Sequence, residues 1–364
     1  MSKSIILSWY VTLLFAISCN SENKPATTDL SDKSFLDSTG SVFSIAFGSC
    51  AHENAPQPIL TQVAVLQPDV FVYLGDNIYG DTYSMDTLRL KYDMLAAKPE
   101  FQQLKKSTSV VATWDDHDFG WNDSGRHYPY KEASKEIFLD FFEEPNDSKR
   151  REQEGIYTSY FFGDEETKVQ LILLDTRTFR DDLVKYNGNR DNDAAYHYGM
   201  DFSPNESPDS TLLGEAQWKW LEEQLKSPAE LRIIASSTQF GITHNGYEAW
   251  ANIPHEQKKM LEMIKSTRTE GVMFISGDVH YAEISRLEAA DLYPIYDVTS
   301  SGITSTWDFA TPNDNRIDGP VMENHFGLLT VDWKKPDPEI TISIIDVSGQ
   351  SRIKRKLLLS ELTF

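Results

Sequence analysis

Cysteine is scarce in this chain: only Cys19 and Cys50 occur among its 364 residues. Two cysteines cannot build the disulfide framework of a small secreted domain, so each needs its own explanation. Basic residues are also few, with 34 Lys and Arg against 56 Asp and Glu and a formal net charge of −22. Such an acidic surface repels a phosphate backbone over long range, which argues against extended nucleic-acid binding.

The longest apolar stretch covers only residues 5–17. A membrane-spanning helix needs about 20 apolar residues, whereas the apolar part of a signal peptide needs roughly 7–15. Small residues precede Cys19, an arrangement that resembles a bacterial lipobox. The sequence therefore predicts a lipoprotein signal peptide over 1–19, with a lipidated Cys19, followed by a flexible tether over 20–41. The alternative is an ordinary cleaved signal in which the cysteine is incidental.

The chain does contain enough apolar residues, 40% of the total, for a large buried core. Short apolar runs that fit buried strands alternate with longer segments of helical spacing. The predicted strands are 42–47, 70–74, 109–112, 169–174, 231–235 and 272–275, and the predicted helices are 58–66, 85–95, 131–142, 214–225 and 255–265. This alternation predicts a layered α/β fold, and we expect residues 42–364 to form one domain.

Polar clusters follow five of the predicted strands. They cover residues 48–50, 75–81, 114–118, 175–177 and 276–280. Because sites in α/β sheets collect beyond the carboxyl ends of the strands, we expect the five clusters to meet in one crevice. The stretch 305–319, rich in Trp, Asp and Asn, is predicted to be a loop that covers this crevice.

The clusters are rich in acids and imidazoles, namely Asp76, Asp116, Asp118, Asp278, His117 and His280. Carboxylates at short range cannot all stay ionised without a cation. Oxygen ligands favour hard cations such as Ca²⁺, whereas thiolate, phenolate and imidazole suit a transition metal such as iron. The mixed set predicts two unlike metal sites. Taken singly, however, Cys50 is typical of an inert core thiol, Asp76 of a turn and Tyr79 of a packed ring.

Six motifs in the chain carry a resemblance to a known family. They are Gly48-Ser49-Cys50, Gly75-Asp76-Asn77-Ile78-Tyr79-Gly80-Asp81, Trp114-Asp115-Asp116-His117-Asp118, Asp175-Thr176-Arg177, Leu213-Gly214-Glu215-Ala216-Gln217-Trp218 and Gly277-Asp278-Val279-His280. Their types and order, over roughly residues 43–305, resemble the PhoD-like alkaline phosphatases, which are calcineurin-like metallophosphoesterases. The resemblance implies two stacked mixed β-sheets flanked by helices, an α/β/β/α sandwich.

The same resemblance implies Fe³⁺ and Ca²⁺ as cofactors, with one iron-type site and one or two calcium sites. The implied metal ligands are Cys50, Asp76, Tyr79 and His280 for iron, with Asp76 bridging to calcium, and Asp116 and Asp278 for calcium. Carboxylates at the last two positions suit a hard ion. Family members often carry a twin-arginine signal and an N-terminal β-domain. We expect neither here, since residues 20–41 leave no room for that domain. The expected protein is therefore a trimmed, lipid-tethered version.

Together these features predict an exported metal-dependent phosphoesterase of the alkaline phosphatase type, in which a metal-activated hydroxide attacks phosphorus. His117 is the expected proton donor to the leaving group, with its ring oriented by Asp118. Arg177 is expected either to hold a phosphate oxygen or to form a structural ion pair with Asp175.

Two other functions stay open from the sequence. One is a phosphodiesterase acting on phospholipid, teichoic-type polymers or extracellular nucleic-acid fragments. The other is a calcium-dependent binding lipoprotein without catalysis. In each case the expected location is a bacterial cell envelope, with a monomer attached to the membrane through Cys19. The sequence does not choose between monoester and diester substrates.

Overall fold

The structure is a computed structural model that describes residues 28–29, 41–188 and 201–364. The predicted signal peptide, the lipidated Cys19 and most of the predicted tether lie outside these residues. In the described ranges, none of the helices combines the length and the apolar character needed to cross a membrane.

The described residues form sixteen strands and eight α-helices. The strands are β1 (Thr28–Asp29), β2 (Val42–Gly48), β3 (Val70–Leu74), β4 (Ser109–Thr113), β5 (Thr158–Phe162), β6 (Val169–Leu173), β7 (Val184–Lys185), β8 (Phe202–Ser203), β9 (Leu231–Ser236), β10 (Val272–Ser276), β11 (Ala282–Leu287), β12 (Ile295–Ser300), β13 (Arg316–Val321), β14 (His325–Asp332), β15 (Glu339–Asp346) and β16 (Ser351–Leu358). The helices are α1 (Pro58–Leu66), α2 (Met85–Ala96), α3 (Pro99–Ser107), α4 (Asp116–Phe119), α5 (Lys131–Phe141), α6 (Lys149–Glu152), α7 (Gly214–Leu225) and α8 (Pro254–Thr267).

Two large mixed sheets contain most of the strands. The six-stranded sheet has the order β16-β15-β14-β2-β3-β4, and the eight-stranded sheet has the order β1-β5-β6-β9-β10-β12-β11-β13. In the first sheet β2, β3 and β4 are parallel, and in the second β6, β9, β10 and β12 are parallel. The short strands β7 and β8 form a separate antiparallel pair.

The sheets stack face to face, and helices cover their outer faces. One continuous apolar cluster contains Ile45 and Val72 of the first sheet, Ile233 and Phe274 of the second, and side chains of α7 and α8. A second cluster joins the other face of the first sheet to α1, α2, α3 and α5. Strands β3 and β10 are buried along their whole length because layers cover both of their faces. This arrangement confirms the predicted α/β/β/α sandwich.

The topology brings the polar clusters to one edge. Because neighbouring parallel strands end at the same edge of a sheet, the loops after β2, β3 and β4 lie side by side, as do those after β6, β9 and β10. The predicted covering loop runs only to Asn315, since β13 begins at Arg316. Its backbone contacts the cluster directly, with the Trp307 amide donating to the His280 carbonyl oxygen at 3.0 Å.

Candidate metal centre

The loops that carry the predicted ligands turn sharply after their strands. Cys50, Asp76, Asp278 and His280 all have left-handed backbone conformations, with φ values of 60°, 49°, 78° and 56°. Such conformations are uncommon for residues other than glycine, and they cluster where a site requires a fixed geometry. The turns therefore aim four predicted ligands into the space between the strand ends.

The predicted iron-type ligands converge across the two sheets. One ligand atom from each of Cys50, Asp76 and His280 lies within 4.8 Å of the other two. The Cys50 thiol contacts an Asp76 carboxylate oxygen at 3.3 Å and the Ser301 hydroxyl at 3.1 Å. Burial raises the pKa of this thiol. A thiolate at this position therefore needs a cation beside it.

His280 is presented as a neutral imidazole. Burial lowers its pKa to about 4, and the uncharged ring is the form that binds metals. The Trp307 ring stacks on it with centroids 5.1 Å apart and an interplanar angle of 12°. The backbone amide of His280 donates to the Ser301 hydroxyl at 3.1 Å, so one serine contacts both Cys50 and His280.

Tyr79 lies beside the same group. Burial, together with the nearby charges of Cys50 and Asp76, raises the pKa of its phenol. Its hydroxyl is buried and has no hydrogen-bond partner within the described part of the chain. The Tyr79 backbone is held by Glu53, whose carboxylate accepts from the Tyr79 amide at 2.9 Å and pairs with Lys91 at 2.7 Å.

Asp76 belongs to three groups that bring potential ligand atoms within 4.8 Å of one another. These groups are Cys50, Asp76 and His280; Asp76, Asp116 and His117; and Asp76, Asp115 and Asp278. Burial and the charge of Cys50 raise the pKa of Asp76, and burial and the charge of Asp115 raise the pKa of Asp278. Bound cations would stabilise the ionised form of these carboxylates and so remove the repulsion between them.

The donor set fits metal ions. Among the described residues, one carboxylate oxygen each of Asp76 and Asp115 is buried without a hydrogen-bond partner, as is the Tyr79 hydroxyl. One group combines Asp76 with the Cys50 thiol and the His280 imidazole, while another combines it with the carboxylates of Asp115 and Asp278. This asymmetry suits a transition metal beside a hard cation.

Sequence reasoning missed several acids around this centre. Asp115 lies within one of the motifs but has no predicted role, although its carboxylate lies within 4.8 Å of ligand atoms of Asp76 and Asp278. Asp123 and Glu248 form a further group with Asp116, again within 4.8 Å. Nothing in the local sequence around Glu248 marks it, because it reaches the centre only through tertiary folding.

The partner of His117 differs from the prediction. Its Nδ1 atom lies 2.8 and 2.9 Å from the two carboxylate oxygens of Asp81. The Asp118 carboxylate instead accepts from the backbone amides of Asp115 and Asn77 at 2.6 and 3.2 Å. The predicted orienting role of Asp118 is therefore wrong, because a helix-start turn directs its side chain to backbone amides.

Burial itself lowers the pKa of His117, but the charge of Asp76 and the hydrogen bond that the ring donates to Asp81 outweigh burial and raise that pKa to about 10. The ring also packs against Tyr79, with centroids 4.3 Å apart. His117 is thus held as a charged imidazolium at the edge of the acidic cluster.

Arg177 lies deeper than predicted. Its side chain is 0% exposed and pairs with Asp115 and Glu248. The expected ion pair with Asp175 is also wrong, because the Asp175 carboxylate accepts from the Trp114 indole and the Ile156 amide. Arg177 positions Asp115 in this structure and does not present its guanidinium to a substrate.

Comparisons with known proteins agree with the geometry. The family model described as PhoD-like phosphatase matches residues 45–316. Alkaline phosphatase D of Bacillus subtilis (strain 168) is 24% identical over 303 residues, which cover 71% of this chain and 48% of that protein. The chain therefore spans about half the length of this curated relative.

Solved structures share the fold. The structure of PhoD superposes with a TM-score of 0.64 at 18% identity, covering 87% of this chain and 71% of that one. GAP50, described as the anchor in the inner membrane complex of Plasmodium, superposes with a TM-score of 0.55 at 12% identity, covering 87% and 89%. Since the family model covers most of the chain, this protein belongs to the PhoD-like phosphatase family.

Proposed function

We propose that this protein is a metal-dependent phosphoesterase that hydrolyses phosphate esters. The observation that carries the proposal is the position of Asp76, which is shared by three groups of potential ligands at the meeting point of the strand ends. Family membership and the likeness to alkaline phosphatase D support the same reaction class.

Cys50, Asp76, Tyr79 and His280 are the proposed ligands of an iron ion, while Asp116 and Asp278 are the proposed ligands of calcium. When bound, the two kinds of ion supply positive charge for the phosphoryl oxygens and acidify the attacking water. This local charge also explains how a molecule of net charge −22 attracts an anionic ester.

His117 is the proposed proton donor to the leaving alkoxide. Its ring lies at the edge of the cluster, and Asp81 fixes the ring through Nδ1, so that Nε2 is the atom left to face the ester. A charged imidazole can donate a proton as the P–O bond breaks. The Asp118 carboxylate fixes the backbone at the start of α4 by accepting from two backbone amides, and Arg177 orients Asp115 through an ion pair. Both side chains therefore act through other residues.

The proposal extends to location. We propose export to the cell envelope and attachment through a lipidated Cys19 as a monomer, on the sequence pattern described above. Native expression followed by membrane fractionation, compared with a Cys19→Ser variant, tests this part separately. Wild-type protein that stays out of the membrane fraction would contradict attachment.

Steady-state hydrolysis of p-nitrophenyl phosphate and bis(p-nitrophenyl) phosphate tests the reaction. We expect hydrolysis by the metal-replete protein and a fall in kcat of about 10²–10⁴-fold in His117→Ala, with metal content unchanged. The ratio of rates on the two esters separates a monoesterase from a diesterase. A metal-replete protein that hydrolyses neither ester would contradict the proposal and favour a calcium-dependent binding role.

A further inference from the structure

A cluster of exposed aromatic rings lies next to α4, the short helix that carries His117. Tyr83 is 55% exposed, while Trp121 and Tyr130 are each 44% exposed. With the buried Tyr128 they form a set that we call the aromatic platform. Large exposed aromatic side chains grouped in this way mark a binding surface more often than isolated ones do.

Three of the four rings of the platform are stacked. Tyr83 lies parallel to Trp121, with centroids 5.5 Å apart and an interplanar angle of 17°. It also lies close to parallel with Tyr128, at 5.6 Å and 27°. Within the described part of the chain, Tyr83 is the ring that stacks on Trp121. The stack of described rings therefore ends at Trp121, and its exposed fraction of 44% leaves ring surface that a further planar group can contact.

The platform is anchored rather than loose. The Tyr128 hydroxyl donates to the Thr82 carbonyl oxygen at 2.6 Å, and its ring fills the space that a side chain at Gly120 would need. Tyr130 packs edge-on against Tyr83 at 6.2 Å. A surface fixed in this way loses little conformational entropy when it binds a ligand.

Backbone hydrogen bonds tie the platform to the proposed catalytic loop. The Gly80 amide donates to the His117 carbonyl oxygen, and the Thr82 amide donates to the Gly120 carbonyl oxygen, each at 2.9 Å. The Asn122 amide donates to the same Asp81 carboxylate that holds His117. A group leaving from the phosphate beside His117 therefore departs close to the platform.

The charged side chains beside the platform indicate which kind of ligand it can bind. The two cations that neighbour the platform in the chain already have carboxylate partners: Arg126 pairs with Asp181 and Lys131 with Glu154. Among the described residues that neighbour the platform in the chain, both cations are therefore already paired while ring surface is exposed, and the acidic molecule repels polyanions. These features favour a small ester with one phosphate and a flat, uncharged ring.

We propose that the aromatic platform binds a planar aromatic or heteroaromatic ring in the leaving group of the phosphate ester, with Trp121 as the main contact. Stacking of a base on an aromatic side chain is strong and tolerates different rings, because it depends on the ring faces. This inference rests on the proposed phosphoesterase function, whose substrate class it names.

Calorimetric binding of phenylphosphonate and methylphosphonate to the metal-replete protein tests the inference without needing turnover. The two probes share the phosphonate group and differ in the ring. We expect phenylphosphonate to bind about tenfold more tightly. We expect Trp121→Ala to lose most of this preference and Trp121→Phe to keep most of it. Phe364→Ala, which alters an exposed ring at the other end of the chain, is the control and should keep the preference.

Equal binding of both probes by the wild type, or a preference that survives in Trp121→Ala, would overturn the inference. A Trp121→Ala variant could keep the preference for phenylphosphonate and yet lose binding to phosphatidylglycerol vesicles. That result would also overturn the inference, because the platform would then contact a membrane and not the ring of an ester. Rates on p-nitrophenyl phosphate and 5′-AMP then distinguish aryl from nucleoside esters. Because the binding assay is independent of hydrolysis, a protein that prefers phenylphosphonate but cleaves no ester would contradict only the proposed function.

Discussion

Asp81 shows how one carboxylate controls the proposed proton donor. Its two oxygens contact Nδ1 of His117, and one of them also accepts from the Asn122 amide at 3.0 Å. The charge of Asp76 and, after it, the hydrogen bond and charge of Asp81 raise the pKa of His117. Since a donor works only while it is protonated, activity should fall as the pH rises through this pKa.

Asp81→Asn should therefore move the alkaline limb of the kcat/KM profile towards lower pH. Removal of a contacting opposite charge lowers the pKa of the imidazole, and we expect a shift of about one pH unit or more. The measurement is the pH dependence of p-nitrophenyl phosphate hydrolysis. Asp182→Asn is the matched control, because Asp182 contacts the exposed His127 at 3.0 Å away from the centre. An unmoved limb in Asp81→Asn would show that His117 does not control that limb.

Ser301 is a second residue of interest, because it contacts two of the proposed metal ligands. Its hydroxyl accepts from the His280 amide and contacts the Cys50 thiol. The Ser301 amide in turn donates to the buried ring of His325 at 3.1 Å. Hydrogen bonds to metal ligands orient them, and losing one costs about 10–100-fold in metal affinity.

Ser301→Ala should weaken binding of the proposed iron ion by at least about tenfold and should shift the thiolate absorption band of the iron- or cobalt-loaded protein. The control is Ser159→Ala, which removes a buried serine that bonds to Gln224 at 2.7 Å outside the centre. Equal metal affinity and identical spectra in Ser301→Ala and the wild type would refute the positioning role of Ser301.

At the scale of elements, the end of β3 depends on Gly75. This residue has a φ of 106°, and a Cβ added there would lie 2.5 Å from the Asp115 Cβ. The loops after β3 and β4 can therefore approach closely only if residue 75 is a glycine. That approach places Asp76 beside Asp115 and Asp116.

Gly75→Ala should lower the free energy of unfolding by about 2–5 kcal/mol. The substitution strains the left-handed backbone at residue 75, and the added Cβ also crowds Asp115. It should also lower the metal content. Gly349→Ala is the control, since its φ of 79° imposes similar strain but its added Cβ meets only the flexible Gln62 side chain at 3.3 Å. We expect Gly349→Ala to cost only about 1–2 kcal/mol. Denaturant unfolding of both variants measures the difference, and equal losses would contradict the packing argument.

The elements that sequence reasoning found are those with a strong local pattern. The six predicted strands match β2, β3, β4, β6, β9 and β10 to within one residue at each end. Strands buried on both faces are continuous apolar runs, which a sequence shows directly. Strand β16 was missed because charged residues interrupt its apolar pattern and much of it is exposed. Helix α3 was missed because only Phe101 and Leu104 of it are buried.

The residues of the site were predictable only where they follow such strands. Cys50, Asp76 and His280 were found because each lies just beyond a buried strand, and the structure brings them together. The contact between Asp81 and His117 was missed because it depends on how the loop after β3 packs against α4, where the Gly80 amide donates to the His117 carbonyl oxygen at 2.9 Å. Glu248 was missed because it lies in a loop remote from any motif.

For the molecule as a whole, the central requirement is that the negative charge buried between the sheets is neutralised. The strand ends of two sheets collect carboxylates and a thiol in a buried space, within a chain of net charge −22. Unbalanced anions in such a space destabilise the fold and repel an anionic ester. Bound cations resolve both problems, so metal binding is the claim on which stability and function both depend.

Elemental analysis of the unchelated protein, purified after native expression, tests that claim most directly. We expect about one iron and one or two calcium ions per chain. We also expect Cys50→Ser to lose mainly iron and Asp278→Asn to lose mainly calcium. A folded wild-type protein without stoichiometric metal, or a Cys50→Ser variant with unchanged metal content, would contradict the account.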